Sequence, residues 1–261
     1  ISLVLAGGIA GGVLGPESSK LTLNLLPLPY MGSYASLMVF SALAMLLMCF
    51  IAIPPMEAHE RRAAGRPLLR IMAQPAFAVA VLSAMVGYGV MNLLMTATPI
   101  AMSQQHHPYH DAAFVIEWHV IGMFAPSFVT GSLIKRFGVA PVILTGVILM
   151  LMCVGVALAG VAVMNFWLAL FLLGVGWNFM FVGGTTLLTE THTPAERAKT
   201  QGVNDFLIFL TMATSSFSSG ALISSQGWQL LNLWSLPFLV VTGTATAAWL
   251  LFERRMSRRV A

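Results

Sequence analysis

Apolar runs of about 20 residues alternate with short polar breaks along the whole chain. A helix needs about 20 residues to cross the hydrocarbon core of a bilayer. Eight runs reach that length: 1 to about 24, then about 32–53, 76–101, 112–134, 139–160, 165–188, 203–224 and 230–252. The pattern predicts an all-α, polytopic helical membrane protein. The only long polar break, 54–70, divides two runs from six, and Pro54, Pro55 and Pro67 argue against one straight helix there. Ahead of the seventh run, Thr193-Pro194-Ala195-Glu196 has the form of a capping box with proline at the first helical position. That helix is expected to start before it enters lipid.

Composition agrees. The chain is 58% hydrophobic and only 8% charged, against about 25% charged residues in a soluble domain. Twelve of its thirteen Lys and Arg residues fall in four segments. These hold Arg61, Arg62, Arg66 and Arg70; Lys135 and Arg136; Arg197 and Lys199; and Arg254, Arg255, Arg258 and Arg259. The breaks between them, around 102–111, 161–165 and 225–229, carry no cation. Helical membrane proteins leave Lys and Arg on the cytoplasmic side, so these four segments and the C-terminus are expected there, in an inner (plasma) membrane. The net charge of +4 then meets anionic lipid. Nucleic acid is not expected as a partner, because no basic stripe with interleaved aromatics exists. Cys49 and Cys153 sit inside apolar runs and read as packing residues, without a disulfide framework or metal spacing. Ile1–Leu14 lacks the basic start and cleavage site of a signal peptide. The expectation is a chain that begins partway into a helix of a longer protein.

Two stretches resemble a known family. Gly11-x-x-x-Gly15-Pro16 resembles the glycine–proline signature on the fifth helix of major facilitator superfamily transporters, chiefly the antiporters. Gly131-x-Leu133-x-x-Arg136-x-Gly138 resembles that superfamily's turn motif between the eighth and ninth helices. The chain departs from both: Glu-Ser-Ser-Lys follows Pro16 where the antiporters have glycines, and Ile134-Lys135 leaves the turn without its acidic residue. The resemblance implies helices five to twelve of a two-bundle carrier. Residues 1–53 are then the last two helices of the N-terminal half, 54–70 the cytoplasmic linker, and 71–261 the six-helix C-terminal half with a basic tail. It also implies secondary active transport of a small organic solute by alternating access, with the missing N-terminal helices as partners and no cofactor. The signature favours proton-coupled export. No Walker-type phosphate loop occurs, which fits a gradient-driven process. The alternatives are a membrane scaffold and an acyltransferase-like enzyme built on His106 and Asp111.

Charged groups inside a span cost about 2.5–3.5 kcal/mol on insertion scales and so need a partner or a task. Glu17 and Lys20 can pair at i, i+3, or Lys20 can snorkel outward and neutralise Glu17. Glu117 and His119 lie about 8–10 Å inside the fourth run and point about 200° apart. Either Glu117 faces an aqueous path while His119 packs on a neighbouring helix, or the reverse. Glu117 is the better proton-coupling candidate, against a structural hydrogen bond near the interface. Asn92, Trp177 and Asn178 lie at mid-depth. The family's corresponding helices line the central cavity, and the alternative for each amide is an interhelical hydrogen bond. Gly87-Tyr88-Gly89 is expected to let the third run bend.

Gly7-Gly11-Gly15 and Gly8-Gly12 form two small-residue ridges on the first run, suited to close helix contact. At the cytoplasmic face, Arg136, Glu190, Glu196, Arg197 and Asp205 are expected to form a switchable ion-pair network, with solvated surface charges as the alternative. The residues expected to carry conformational switching are therefore Gly11, Gly15, Pro16, Gly131, Arg136, Gly138, Glu190, Arg197 and Asp205. The loop Gln104–Asp111 holds three His and one Asp, a conceivable metal set. A solvated loop is the stronger reading, and no metal is expected.

Overall fold

The structure, a computed structural model, describes residues 2–28, 30–52 and 65–260, with residues 2–6, 9 and 256–260 described by backbone alone. Pro54, Pro55, Arg61 and Arg62 lie outside the described residues, as do the side chains of Arg258 and Arg259. The helices are α1 (Ser2–Thr22), α2 (Met31–Met48), α3 (Leu68–Met72), α4 (Pro75–Gln104), α5 (Tyr109–Phe124), α6 (Ser127–Phe137), α7 (Val139–Ala159) and α8 (Val163–Thr189). A 3-10 turn, Pro194–Glu196, leads into a long helical stretch, Arg197–Val260. Gly227, at φ 78° and ψ 177°, breaks that stretch into α9 (197–226) and α10 (228–260). No strand occurs among the described residues. The protein is all-α and built for a bilayer.

Each apolar run falls on helix, with three departures from the expected outline. The fourth run is two helices, because Pro126 has no N–H to offer Gly122 and its ring crowds the preceding turn. The polar loop expected at 225–229 is a bend at Gly227 alone, a left-handed position that glycine adopts without a Cβ clash. Finally, α3 occupies the end of the segment read as linker. By length and apolar content, six helical stretches among the described residues can cross a membrane: Met31–Met48, Pro75–Gln104, Tyr109–Phe137, Val139–Ala159, Val163–Thr189 and Pro194–Arg255, the last being α9 and α10 together. The first run, α1, is not among them; its glycines, Glu17 and Lys20 dilute the apolar content.

Helices α4 and α8 form the centre. Both are sheathed by neighbours, α4 by α8, α9 and α10, and α8 by α5 and α7. The main core runs along them through Leu94, Met102, Met150, Leu170, Leu173 and Met180. A smaller core of Ile71, Phe77, Val81, Leu187 and Leu188 closes the end where the cations gather. Glycine sets the closest approach. A Cβ on Gly146 would stand 2.8 Å from the Gly176 carbonyl oxygen, and one on Gly176 would stand 2.9 Å from that of Gly146, so α7 and α8 meet backbone to backbone. At the opposite edge, α1 and α2 pack on each other and reach the rest mainly through α1 on α5.

Candidate functional site

Three groupings of polar residues lie at three depths of the bundle. At the cation-poor end, α1 rests on α5 through one of its glycine ridges. A Cβ on Gly8 would meet the Phe124 ring at 2.9 Å, and one on Gly12 would collide with Val120, while Gly7, Gly11 and Gly15 face open space. The two ridges read from the sequence are thus separated, one filled by α5 and the other uncovered. The contact carries charge further along. Lys20 Nζ donates to Glu17 Oε1 at 2.8 Å and to Glu117 Oε1 at 2.8 Å. Lys20 therefore joins two helices and does not simply snorkel. Glu117 is the better shielded carboxylate, with 17% of its side chain exposed against 47% for Glu17. Its neighbour His119 turns away into α8, fully buried. There its Nδ1 lies 2.7 Å from the Leu170 carbonyl oxygen, to which it donates. Among the described residues His119 Nε2 has no hydrogen-bond partner.

At mid-depth the amides join helices. Asn178 donates through Nδ2 to the Met123 carbonyl at 2.6 Å and to Ser127 Oγ at 2.5 Å, and its Oδ1 accepts from Thr130 Oγ1 at 2.7 Å. These partners bracket the α5–α6 break, where the Met123 carbonyl, in the last turn of α5, has no backbone donor among the described residues. Asn178 supplies that missing donor. Asn92 Nδ2 reaches the Met212 carbonyl at 3.1 Å, Ser215 Oγ at 2.8 Å and Ser216 Oγ at 2.7 Å on α9. Asn92 and Asn178 thus follow the interhelical alternative. Trp177 is 3% exposed, so it does not line an open path. It is a buttress, stacked on Phe181 at 5.1 Å and met edge-on by Tyr88 at 5.0 Å and Phe124 at 6.1 Å. Those three rings are only half-buried and present the aromatic surface that the sequence reading assigned to Trp177. The expected bend at Gly87-Tyr88-Gly89 is absent, since α4 is continuous there. The two glycines instead admit the side chains of Met180 and Thr211.

At the cation-rich end the network is not the one expected. Glu196, almost fully buried, accepts from Arg66 Nε at 2.9 Å, Arg66 Nη2 at 2.8 Å, the Arg66 backbone N–H at 2.6 Å and the Thr193 N–H at 3.0 Å. Arg66 Nη2 also donates to the Thr191 carbonyl at 2.8 Å, and Lys199 Nζ donates to the Arg66 carbonyl. The guanidinium holds the Glu196 carboxyl well below the usual range. Sequence spacing missed this partner because Arg66 is 130 residues away. The Thr193–Glu196 capping box forms as expected. Arg136, Arg197, Glu190 and Asp205 form no ion pair among the described residues. Arg136 lies 5.2 Å from the Phe137 ring, Asp205 accepts from Asn204 at 3.1 Å, and burial, with Glu253 adding to it, raises the Glu190 carboxyl. Gly138 ends α6 at φ 89°, a left-handed value that glycine adopts without a Cβ clash, and Gly131 faces open space.

The histidine loop does not converge on one point. His107 Nε2 lies 2.8 Å from the Val161 carbonyl and His110 Nδ1 lies 2.9 Å from Asp111. Two cavities stand out among the described residues. One, about 610 Å³, lies between α4, α9 and α10 and is lined by Gly89, Thr211, Ser215, Trp234 and Phe238 among others. The other, about 310 Å³, lies between α1, α2, α4 and α5.

Comparison with known proteins supplies the context. Residues 79–260 match the family described as Major Facilitator Superfamily. A riboflavin transporter, RfnT, of Brucella anthropi is 40% identical over 247 residues, which cover 92% of this chain and 61% of that protein. Two uncharacterized MFS-type transporters of Bacillus subtilis, YdeG and YddS, are 39% and 35% identical over 146 residues, 55% of this chain and 34% of each of them. The chain thus spans about 61% of the riboflavin transporter's length.

Proposed function

Because the chain belongs to the major facilitator superfamily, we propose that the protein it represents is a secondary active transporter of a small, neutral, planar organic solute of the flavin class. The observation that carries this reading is the 40% identity to a riboflavin transporter across nearly the whole chain. The half-buried rings of Tyr88, Phe124 and Phe181, braced by Trp177, support it. Ring faces at mid-membrane suit a flat heterocycle.

Orientation, halves and coupling belong to the same proposal. The cation-rich end, with the C-terminus, faces the cytoplasm. Helices α1 and α2 close the N-terminal half. The C-terminal body takes in Arg66 as well as Ile71, since both are tied into it. Proton coupling runs through Glu117, the shielded carboxylate at the contact between halves. Protonation of Glu117 releases Lys20 to Glu17, and the α1–α5 contact loses its charge. Net movement in the export direction rests on the glycine–proline signature of α1.

Reconstitution of the full-length protein in proteoliposomes tests the reading. Labelled riboflavin is expected to cross in a saturable manner, to exchange with unlabelled riboflavin, and to accumulate when a pH gradient is imposed. Saturable flux without a pH effect removes proton coupling alone. No saturable riboflavin flux removes the flavin assignment.

A further inference from the structure

The smaller cavity, about 310 Å³, has walls from both halves: α1 and α2 on one side, α4 and α5 on the other. Its polar lining is hydroxylic, from Ser18 and Ser19 on α1, Ser33 and Ser36 on α2, and Tyr109 on α5. The remaining walls are apolar, Pro16 and Pro99 among them, and no charged side chain lines it. The nearest charges, Glu17 and Lys20, flank this stretch of α1 and are engaged with each other and with Glu117.

The protons of these hydroxyls can be traced. Ser18 Oγ donates to the Gly15 carbonyl at 2.8 Å, and Ser36 Oγ donates to the Ser33 carbonyl at 2.8 Å. Ser19 Oγ donates to Ser33 Oγ at 3.2 Å, and Ser33 Oγ donates to the Ser19 carbonyl at 3.2 Å. With its own proton committed to Ser33, Ser19 can only accept from Tyr109, whose hydroxyl lies 3.2 Å away. All five protons are thus used inside the protein, and what the hydroxyls can still offer is lone pairs. A cavity with acceptors only, apolar walls and no charge selects a neutral ligand that brings its own donors.

We propose that this cavity is a subsite for a neutral polyhydroxylated chain. Its O–H groups would donate to the serine oxygens, and its C–H faces would lie on the proline walls. Resting on the flavin reading above, the chain in question is the ribityl side chain of riboflavin. Its volume lies at the lower end of the ~300–1,000 Å³ range of small-molecule sites, which suits a side chain better than a whole solute. Because both halves build the walls, occupancy ties solute binding to the closed α1–α5 contact.

Two measurements on the full-length protein test this. In the first, Ser33→Ala with Ser36→Ala is assayed against riboflavin and against lumiflavin, which has the same ring system without the polyol. Loss of two neutral hydrogen bonds should raise the KM for riboflavin about tenfold, with the maximal rate and lumiflavin inhibition unchanged. Equal losses for both flavins, or none for either, would overturn the assignment. The second measurement does not need flavin transport. Ser36→Cys, in a background with every other cysteine replaced, Cys49 and Cys153 included, is labelled with a maleimide in the presence of ribitol or of sodium chloride at equal osmolality. Protection by ribitol alone is expected. Equal labelling in the two solutions would refute the subsite even if riboflavin is carried. Protection by ribitol without any flavin flux would keep the subsite and discard the flavin assignment.

Discussion

Asn178→Leu removes three hydrogen bonds at a fully buried position, those to the Met123 carbonyl, Ser127 Oγ and Thr130 Oγ1. Interhelical hydrogen bonds in membrane proteins average about 0.6 kcal/mol and reach about 1.7. Three average bonds set the expectation at about 2 kcal/mol of destabilisation. Leucine fills a similar volume, so the change reports polarity more than packing. The Met123 carbonyl raises the figure toward the upper value, because the α5–α6 break at Pro126 leaves it without a helical donor and no water is at hand in the bilayer. The assay is unfolding of the full-length protein in mixed micelles with increasing denaturing detergent. A double-mutant cycle with Thr130→Val should return a coupling of about 0.6 kcal/mol. Destabilisation below about 0.5 kcal/mol, or a cycle that closes at zero, would refute the claim that Asn178 holds the break together.

Four further outcomes are expected. Glu117→Gln should leave riboflavin exchange in place while abolishing its response to a pH gradient, as measured by flux in proteoliposomes. Glu17→Gln leaves Lys20 with Glu117 as its sole carboxylate partner, so flux should fall and the α1–α5 contact should resist separation, which cross-linking between Gly12→Cys and Val120→Cys would detect. Gly174→Val should prevent accumulation of folded protein, because its Cβ would stand 2.5 Å from the His119 carbonyl oxygen and 2.9 Å from the Met123 amide nitrogen. Glu196 titrates below its ordinary value near 4.5, so the stability it contributes is complete above that pH and fades as pH falls through the folded value. Glu196→Gln should flatten the drop in melting temperature between pH 5 and pH 3 without changing the trend above pH 6.

Span positions were legible because the hydrophobic period and the bilayer thickness act within one segment. Pro126 and Gly227 show what that reading omits. Proline inside an apolar run does not announce whether it will kink or break the helix, and here the outcome depends on Asn178, some 50 residues later, being available to satisfy the exposed carbonyl. The amides and Glu117 were recognisable as groups needing partners, since an unpaired polar atom in lipid is costly. The partners themselves were not recognisable: Ser215 and Ser216 for Asn92, Lys20 for Glu117, and Arg66 for Glu196 are all near or above 100 residues away. Charge counting pointed to Arg136 because its motif is recognisable. Burial chose Arg66, since Glu196 is enclosed and Arg66 is the cation whose backbone and side chain both reach it.

The two ends of the molecule pair their charges in different ways, and the difference bears on motion. Arg66 and Glu196 sit within one body, share three hydrogen bonds, with a fourth to Glu196 from the Thr193 amide, and back onto the small core around Ile71. Separating them would strand a buried carboxylate, so that end is built to stay assembled. Lys20 instead is shared between a carboxylate one turn away on its own helix and one on the facing helix. Withdrawal of α1 from α5 leaves Lys20 paired with Glu17, and the only group left without its counter-ion is Glu117. On the proposed coupling it is this carboxylate that carries the proton. The glycines at 8 and 12 make the same contact one of small surfaces, without an interlocked side chain from α1 to extract. Under the proton coupling proposed above, each opening of this contact takes up one proton.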